Sequence, residues 1–262
     1  MEWQREIQSD GIVDSRTVEL PIYEYERTPA YERAGRYRAQ VAFVSPPSRR
    51  SSFESETECF LGVSLENRNF EPARFHALLE WIARRFAKCK ILIGDSIHRI
   101  TLETKLGLLA EVALPAALKS GREFIDEHRS LVESYRGTTE FEFVTCQDIQ
   151  KTSAYAQYSR HIRDYFDRTP EFKDSVEAFG RHYHRSDLDE IGHNRSTYLI
   201  RRSCDYFLEE FAIFSCLVKD GNAVMVYPGS FSTLAEIADG VFPTVLPELQ
   251  ALTVVSIKLK RR

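Results

Sequence analysis

The chain has 262 residues, 43% of them apolar, which is enough apolar material for the core of one large α/β domain. Its formal net charge of −4 at pH 7 excludes a global basic field, so any contact with nucleic acid must come from a local patch. The charged N-terminus and the lack of about eighteen consecutive apolar residues predict a cytoplasmic protein without a signal peptide or membrane span.

The first part of the chain is polar. Residues 1–38 are rich in Arg and Glu, and we interpret them as a variable N-terminal extension that precedes one folded domain at residues 39–262. Within this domain, a short strand is predicted at residues 42–44, followed by a loop rich in Ser and Pro at residues 45–52. The apolar run at residues 58–61 then predicts a buried strand.

A strand–helix–strand unit follows in the sequence. Residues 71–88 place apolar side chains at helical spacing, and residues 90–94 form a second apolar run typical of a buried strand. Together with the strand at residues 58–61 they predict a right-handed βαβ unit of roughly 35 residues. Ser64 and Asp95 come just after the two strands of this unit.

The rest of the chain continues the alternation of helices and strands. Helical patterns cover residues 104–135 with an interruption near Pro115, then 153–166, 170–184 and 196–217, while strands are predicted at 140–145, 223–226 and 252–259. This order predicts a single Rossmann-like α/β domain, with a mostly parallel sheet and helices on both faces. Ligands bind such sheets at the carboxyl ends of the strands, where Ser64, Asp95 and Tyr227 are expected.

Ser64 is the first candidate for chemistry. It follows Gly62, which would let a substrate approach the backbone closely, and a serine hydroxyl can form a covalent intermediate with an activated ester. A turn serine that only hydrogen-bonds the backbone is the alternative, and from the residues alone it is the more common case. Both interpretations stay open at this point.

A second group of candidates lies in the last part of the chain. Tyr206 and Glu210 are four residues apart and emerge from one face of a mostly apolar helix, where a carboxylate could hold an ammonium group, whereas Glu209 points elsewhere. Tyr227 ends a strand that Pro228 terminates, which would project its hydroxyl into the same crevice. The alternatives are a solvated helix face and a tyrosine that caps the core.

Four segments carry a family resemblance when they are taken together. They are Gly62-Val63-Ser64-Leu65-Glu66-Asn67, Gly94-Asp95-Ser96-Ile97-His98-Arg99, Tyr206-Phe207-Leu208-Glu209-Glu210 and Tyr227-Pro228. Between about Val41 and Lys260, the chain resembles the cyclodipeptide synthases, which join two amino acids taken from aminoacyl-tRNAs into a diketopiperazine. The resemblance makes residues 39–262 a catalytic domain similar in fold to the catalytic domains of class I aminoacyl-tRNA synthetases.

The resemblance also implies an aminoacyltransferase mechanism. Ser64 would take the first aminoacyl group in a ping-pong sequence, Tyr206 and Glu210 would anchor its amine, and Tyr227 would move protons. It implies two aminoacyl-tRNAs as substrates, no metal or organic cofactor, no membrane partner and a monomeric protein. The absence of CxxC pairs among the five widely spaced cysteines likewise predicts reduced thiols and no zinc site.

Substrate contacts are carried over by position. The residues expected to bind substrate are Phe60, Gly62, Asn67, Leu92, Asp95, His98, Arg99, Ile213, Met225 and Pro228. Five of them, Phe60, Gly62, Leu92, Ile213 and Met225, would surround the first side chain and favour an apolar or aromatic group. A second pocket would draw on Arg181, His182, His184, Arg185, His193 and Arg195, for which a solvated loop is the alternative.

Two subgroups of the family differ near the candidate catalytic residues. One carries Asn three residues after the serine and Tyr-His at the later position, and the other carries a different residue and Tyr-Pro. Asn67 matches the first subgroup and Tyr227-Pro228 the second. The segments at residues 95–99 and 206–210 also look like the Tyr-Pro subgroup, to which we assign the chain.

Contacts with tRNA are expected on a basic helix face. The residues that carry it are Lys119, Arg122, Arg129 and Arg136, which recur mostly at seven-residue steps, although acidic residues are interspersed among them. The basic C-terminal residues 258–262 offer a second patch. Both remain candidates.

Two other functions remain as alternatives. Gly94-Asp95-Ser96 after a strand is similar to the motif of Gly-Asp-Ser esterases and would make Ser96 the nucleophile, but no Asp-x-x-His pair follows near the C-terminus. A non-catalytic tRNA-binding module would need a more basic surface than this chain has. The chain also lacks the adenylate-forming motifs of class I synthetases, so it would use amino acids that are already activated.

Overall fold

The computed structural model describes residues 36–184, 192–229 and 232–262. Almost all of the predicted N-terminal extension, residues 1–35, lies outside the described residues. Arg185, one of the residues predicted for a second substrate pocket, also lies outside them.

In the described part of the chain, six strands form one sheet. They are β1 (Tyr37–Ser45), β2 (Glu58–Val63), β3 (Lys88–Ile93), β4 (Glu140–Thr145), β5 (Val224–Tyr227) and β6 (Thr253–Arg261), in the order β1-β6-β5-β2-β3-β4. β1 pairs with β6 in antiparallel fashion, and all other neighbours are parallel. The prediction of a mostly parallel sheet is therefore confirmed.

The strands alternate with helices, as the sequence predicts. The α-helices of the described residues are α1 (Pro72–Ala83), α2 (Asp95–Leu106), α3 (Ala110–Glu133), α4 (Cys146–Gln150), α5 (Ser153–Arg168), α6 (Pro170–Tyr183), α7 (His193–Lys219), α8 (Ser232–Ala238) and α9 (Pro247–Ala251). A 3₁₀-helical turn, Arg68–Phe70, lies between β2 and α1. Within the described ranges, no helix is long and apolar enough to cross a membrane.

Two apolar cores lie on opposite faces of the sheet, because successive strand residues point to opposite sides. Phe60 of β2 belongs to the core formed with helices α5, α6 and α7, and its ring lies 5.5 Å from that of Phe214. Leu61, the next residue, belongs to the core formed with α1 and α3, which includes Phe75 and Leu78. Helices thus cover both faces, as expected for this fold class.

The boundary between α2 and α3 differs from the one predicted from the sequence. The pattern predicted one helical region at residues 104–135 with a break at Pro115, but Pro115 lies inside α3. The chain is interrupted earlier, where Gly107 adopts a φ of 68° and ends α2. A left-handed residue at this position ends a helix, and glycine adopts it without a steric penalty. Pro115 sits in the second turn of α3, and the helix continues past it without a hydrogen bond from its nitrogen.

The sheet topology brings the candidate residues to one edge. Ser64 directly follows β2, Asp95 begins α2 just after β3, and Tyr227 is the last residue of β5. Since β2 pairs in parallel with both β3 and β5, these three carboxyl ends are neighbours. This is the position at which parallel α/β sheets bind ligands.

Candidate active site

A cavity of about 330 Å³ opens at the carboxyl ends of the strands. It is lined by Ser64, Leu65, Glu66, Asn67, His98, Ile100, Thr101, Thr104, Lys105, Phe179, Ser203, Tyr206, Phe207, Glu210 and Tyr227. All four predicted catalytic residues are in this set, although they come from β5, α7 and the turn after β2. Small-molecule pockets typically enclose about 300–1,000 Å³, so the cavity has the size of a small ligand.

The hydroxyl of Ser64 lies next to that of Tyr227. The Ser64 Oγ to Tyr227 Oη distance is 3.1 Å, and either oxygen can be the donor. Asn67 Nδ2 donates to the same Tyr227 Oη at 3.4 Å. Because Asn67 donates to Tyr227 Oη, the phenol proton can point toward Ser64 Oγ, and hydrogen bonds link the three side chains.

The turn after β2 fixes this arrangement. The Asn67 backbone N–H donates to the Ser64 carbonyl at 3.3 Å, and Asn67 Oδ1 accepts from the Asn69 N–H at 3.0 Å. Asn69 Nδ2 in turn donates to the Pro228 carbonyl at 2.9 Å. Asn67 and Asn69 therefore tie the turn that carries Ser64 to the end of β5, where Tyr227 lies.

Tyr206 and Glu210 enter the cavity from α7. Tyr206 shares a hydrogen bond with Ser64, and burial together with the proximity of Glu210 raises its pKa well above the usual value. Burial raises the pKa of Glu210 to about 8, and its Oε2 has no hydrogen-bond partner among the described residues. At neutral pH Glu210 is thus mainly a protonated carboxyl with one unpaired oxygen, placed to receive a cation.

Glu209 and Arg99 form a separate network behind the cavity. Arg99 binds the Glu209 carboxylate through both terminal nitrogens, at 3.0 and 2.5 Å, and Gln150 Nε2 donates to it at 3.0 Å. Ser96 Oγ donates to Gln150 Oε1 at 2.7 Å. This buried network joins α2, α4 and α7. Arg99 does not line the cavity. Its predicted contact with substrate therefore has no support from the geometry and stays a prediction.

Asp95 links two helices by hydrogen bonds. Its Oδ1 accepts hydrogen bonds from the Ser96 N–H at 2.7 Å and from the Gln147 N–H at 3.0 Å. Burial raises its pKa. Asp95 therefore anchors the start of α2 to the start of α4 and does not line the cavity.

Two further cavity residues lie close to Ser64. His98 was predicted to contact substrate, and it lines the cavity with a side chain that is only 3% exposed. Its Nε2 lies 3.4 Å from Oε1 of Glu66, a residue that was not predicted. Glu66 has a φ of 62°, in the left-handed region. The only signal in the sequence was a charged residue on the turn after a candidate nucleophile.

The residues predicted to surround the first side chain do not line the cavity. Phe60, Leu92, Ile213 and Met225 are fully or almost fully buried in the apolar core on the α7 face. Gly62 is adjacent to the site, since a Cβ there would lie 3.6 Å from Cδ2 of Tyr227. The apolar walls of the cavity are formed instead by Leu65, Ile100, Phe179 and Phe207, none of which the sequence singled out.

The residues predicted for a second pocket are spread along the edges of α6 and α7. His184 is buried, and its Nε2 lies 2.9 Å from Oγ of Ser203, which lines the cavity. Arg181 pairs with Glu177 on the surface of α6, and Arg195 donates to the Thr104 carbonyl at 3.4 Å. His182 and His193 are exposed. Among the described residues of this set, His184 contacts the cavity residue Ser203, and Arg195 contacts the cavity residue Thr104.

The residues predicted to bind tRNA lie away from the cavity. Lys119, Arg122 and Arg129 are exposed on α3, and Arg136 is exposed just after its end. Lys119 and Arg129 pair with acidic residues of the same helix, at 3.6 Å and 3.3 Å. Because successive residues of an α-helix are about 100° apart, Lys119, Arg122 and Arg129 fall on roughly one side of α3.

Comparisons with known proteins agree on one family. A model of the family described as cyclodipeptide synthase matches residues 47–255 of the chain. No curated protein sequence gives a significant match. Among solved structures, a cyclodipeptide synthase from Fluoribacter dumoffii is similar to this chain with a TM-score of 0.71 and 21% identity, over 86% of this chain and 99% of that one.

Two other solved structures are informative. A Mycobacterium tuberculosis protein, whose structure relates cyclodipeptide synthetases to type I tRNA synthetases, is similar with a TM-score of 0.60 and 15% identity, over 80% of this chain and 87% of that one. A cyclodipeptide synthase from Candidatus Glomeribacter gigasporarum bound to Phe-tRNAPhe has a TM-score of 0.55 and 14% identity, over 78% and 88% of the two chains. At these identities the likeness shows the fold.

Proposed function

The chain belongs to the cyclodipeptide synthase family, and from this premise we propose that it joins two aminoacyl groups from aminoacyl-tRNAs into a 2,5-diketopiperazine. The proposed route is a ping-pong sequence through an aminoacyl-Ser64 intermediate. One observation carries the proposal: Ser64, Tyr206, Glu210 and Tyr227 line a single cavity of small-ligand size. The finer assignment to the Tyr-Pro subgroup is also part of this proposal.

In the first step, Ser64 Oγ attacks the ester carbonyl of the first aminoacyl-tRNA. A new C–O bond forms to Ser64, the bond to the ribose oxygen of the tRNA breaks, and the serine proton finally resides on that ribose oxygen. Tyr227, at 3.1 Å from Ser64 Oγ, is positioned to carry this proton. One ester replaces another, so the step needs no further activation of the amino acid.

Glu210 anchors the amine of the first aminoacyl group. Its carboxyl is buried with an unpaired oxygen, and its pKa of about 8 means that it meets an incoming amine in the protonated state at neutral pH. The α-amine of the substrate is itself largely protonated at this pH, so Glu210 loses its proton to solvent as the ammonium group binds, and an ammonium–carboxylate pair forms inside the cavity. Such a pair satisfies Oε2, which is otherwise left without a partner, and Tyr206 shares the contact from one helical turn away.

Substrate preference follows from the cavity walls. Leu65, Ile100, Phe179 and Phe207 supply apolar surface around the polar centre, which supports an apolar or aromatic side chain for at least one of the two amino acids. The hydrogen-bonded Ser203 and His184 offer a polar contact at the same cavity. Docking of tRNA through the basic side of α3 and action as a monomer complete the proposal.

The esterase alternative finds no support in the geometry. The Ser96 side chain is 2% exposed, and its hydroxyl donates to Gln150. It does not line the cavity. A nucleophile must reach its substrate and contact a base, and Ser96 meets neither requirement.

The proposal is tested by measuring the intact mass of the protein after brief incubation with a mixture of aminoacyl-tRNAs. The expected result is a mass increase equal to one aminoacyl group in the wild-type protein and in Ser52→Ala, which removes an exposed serine outside the cavity. The increase should be missing in Ser64→Ala. An adduct that persists in Ser64→Ala would contradict the assignment of the nucleophile.

A further inference from the structure

Glu66 and His98 are two polar cavity residues that the proposed first step does not use. Glu66 is two residues after Ser64, and its carboxylate is 59% exposed at the rim of the cavity. Among the described residues it is the only one other than glycine with a positive φ, at 62°. This conformation is unfavourable for a residue with a Cβ, and such strained residues concentrate at functional sites.

His98 is buried and has a ring nitrogen without a hydrogen-bond partner among the described residues. Its side chain is 3% exposed, and its Nε2 lies 3.4 Å from Glu66 Oε1, a long contact that leaves this nitrogen without a hydrogen-bond partner among the described residues. A buried, unpaired ring nitrogen is unfavourable unless a ligand satisfies it. Since His98 lines the cavity, the group that satisfies Nε2 has to enter through the cavity.

The charges around the pair differ from those around Glu210. The proximity of His98, and then that of Lys105, lowers the pKa of Glu66, although burial opposes this. The titratable groups that face the cavity are Glu66, His98, Lys105, Tyr206, Glu210 and Tyr227. The cavity therefore holds an ionised carboxylate at its rim and a mainly protonated carboxyl inside.

We propose that Glu66 and His98 receive the α-amine of the second aminoacyl-tRNA and take up its ammonium proton, so that the neutral amine can attack the aminoacyl-Ser64 ester. This inference rests on the proposed function and deepens it. An α-amino group has a pKa of roughly 8 and is largely protonated at pH 7, so it needs an acceptor before it can act as a nucleophile.

The step balances in atoms and protons. The amine nitrogen forms a bond to the carbonyl carbon, and the bond from that carbon to Ser64 Oγ breaks. Before the attack, the incoming ammonium group gives one proton to His98 Nε2, and Glu66 stabilises the resulting imidazolium at 3.4 Å. His98 later releases this proton to solvent. The proton that the amine nitrogen loses on forming the amide passes to Tyr227 Oη while Tyr227 gives its own proton to Ser64 Oγ, at 3.1 Å, so the Tyr227 hydroxyl is intact after the step. No oxidant, reductant or further co-reactant is required.

The test separates the two chemical steps. The protein is mixed with stoichiometric tRNA charged with the radiolabelled amino acids found in its product, and protein-bound label and cyclic dipeptide are followed over time. In Glu66→Gln and Glu66→Gly we expect label to reach the protein at a rate within about twofold of wild type, and then to leave it about 10–100-fold more slowly. Glu66→Gly tolerates the φ of 62° without strain, so it separates loss of the carboxylate from loss of the fold.

A control and a pH series complete the design. Glu54→Gln removes an exposed carboxylate that pairs with Arg85 and should leave both steps unchanged. The defect of Glu66→Gln should shrink between about pH 6.5 and 8.5, because more of the amine is then already neutral. Wild-type release of label from both Glu66 variants, or an equal slowing of both steps, would overturn the inference. A wild-type protein that never carries label would instead overturn the proposed function, and the inference with it.

Discussion

At the scale of single residues, Glu210 sets the electrostatic state of the cavity. A carboxyl with a pKa of about 8 and an unpaired oxygen is unfavourable for the fold, yet it provides the site for an ammonium group. In the unfolded chain this group has a pKa of 4.5, so it is ionised above that pH, whereas the folded protein keeps it protonated up to about pH 8. Folding therefore takes up a proton in this window, and rising pH disfavours the folded state.

We therefore expect Glu210→Gln to be inactive but more stable than wild type as the pH rises. The unfolding free energy of wild type should fall relative to that of the variant by up to about 1.4 kcal/mol per pH unit between pH 5 and 8. Urea unfolding at several pH values measures this difference, with Glu54→Gln as an exposed control. Parallel pH curves for Glu210→Gln and wild type would show that Glu210 is ionised and paired in the folded protein.

Tyr227 yields a second prediction at this scale. Tyr227→Phe removes the hydroxyl that contacts Ser64 and Asn67 but keeps the ring, whose centroid lies 6.1 Å from that of Phe70. We expect kcat to fall about 100-fold with little change in melting temperature, because a proton carrier is lost while the packing remains.

The control for this change is Tyr198→Phe, which removes an exposed hydroxyl outside the cavity. Steady-state assays of cyclic dipeptide formation and thermal unfolding check both proteins. An unchanged kcat in Tyr227→Phe would exclude Tyr227 from proton transfer.

At the scale of elements, the close crossing of α2 and α3 supports the site. A Cβ added at Gly121 of α3 would lie 2.6 Å from Cβ of Asp95, the first residue of α2. Asp95 in turn anchors α4 through the Gln147 N–H. Glycine at position 121 is therefore required for α2 to present His98 to the cavity.

We expect Gly121→Ala to lower the unfolding free energy by about 1–3 kcal/mol, because the helices must move apart. Ser120→Ala, at the neighbouring position of α3, should stay within about 0.5 kcal/mol of wild type. Urea unfolding of the two variants measures the contrast. Equal stability of both variants would mean that α2 and α3 tolerate a wider separation.

The elements also show how far the sequence predicts this structure. The apolar runs of β2 and β3 and the helical spacing of α1 and α7 determine local structure directly, so the mostly parallel sheet could be predicted. The break at Gly107 instead of Pro115 could not, since only the observed φ of 68° distinguishes these two helix breakers. The role of Glu66 depends on a contact with His98, 32 residues away in sequence, which no local pattern encodes.

The candidate site, too, could be predicted from the sequence only in part. Spacing placed Tyr206 and Glu210 on one helix face, and the ends of β2 and β5 placed Ser64 and Tyr227 at one sheet edge. Selecting them from other polar residues required the family resemblance, because each has a common structural explanation. The cavity walls, such as Phe179 and Phe207, come from the packing of α6 on α7, and the sequence alone does not predict that contact.

At the scale of the whole molecule, the net charge is −4, so tRNA binding has to depend on local basic surfaces. Arg122 and Arg136 are exposed near α3 and make no ion pair with any described residue. Lys258 and Lys260 lie on β6, at the other side of the sheet order. The two surfaces can therefore be tested separately.

We expect the double variant Arg122→Glu and Arg136→Glu to raise the KM for aminoacyl-tRNA by about tenfold, and to reduce the steepness of its salt dependence. Lys258→Glu with Lys260→Glu changes the charge equally and should have a smaller effect. Assays at several salt concentrations compare the two. A larger effect from the β6 pair would place the tRNA surface at the C-terminus instead of α3.

The central claim concerns Ser64 and the product, and mass spectrometry of the medium of bacteria that express the protein tests it most directly. Wild type and Ser96→Ala should release a diketopiperazine that is absent with Ser64→Ala, because Ser64 lines the cavity and Ser96 does not. A diketopiperazine that persists with Ser64→Ala, or no diketopiperazine from wild type together with ester hydrolysis that depends on Ser96, would contradict the account.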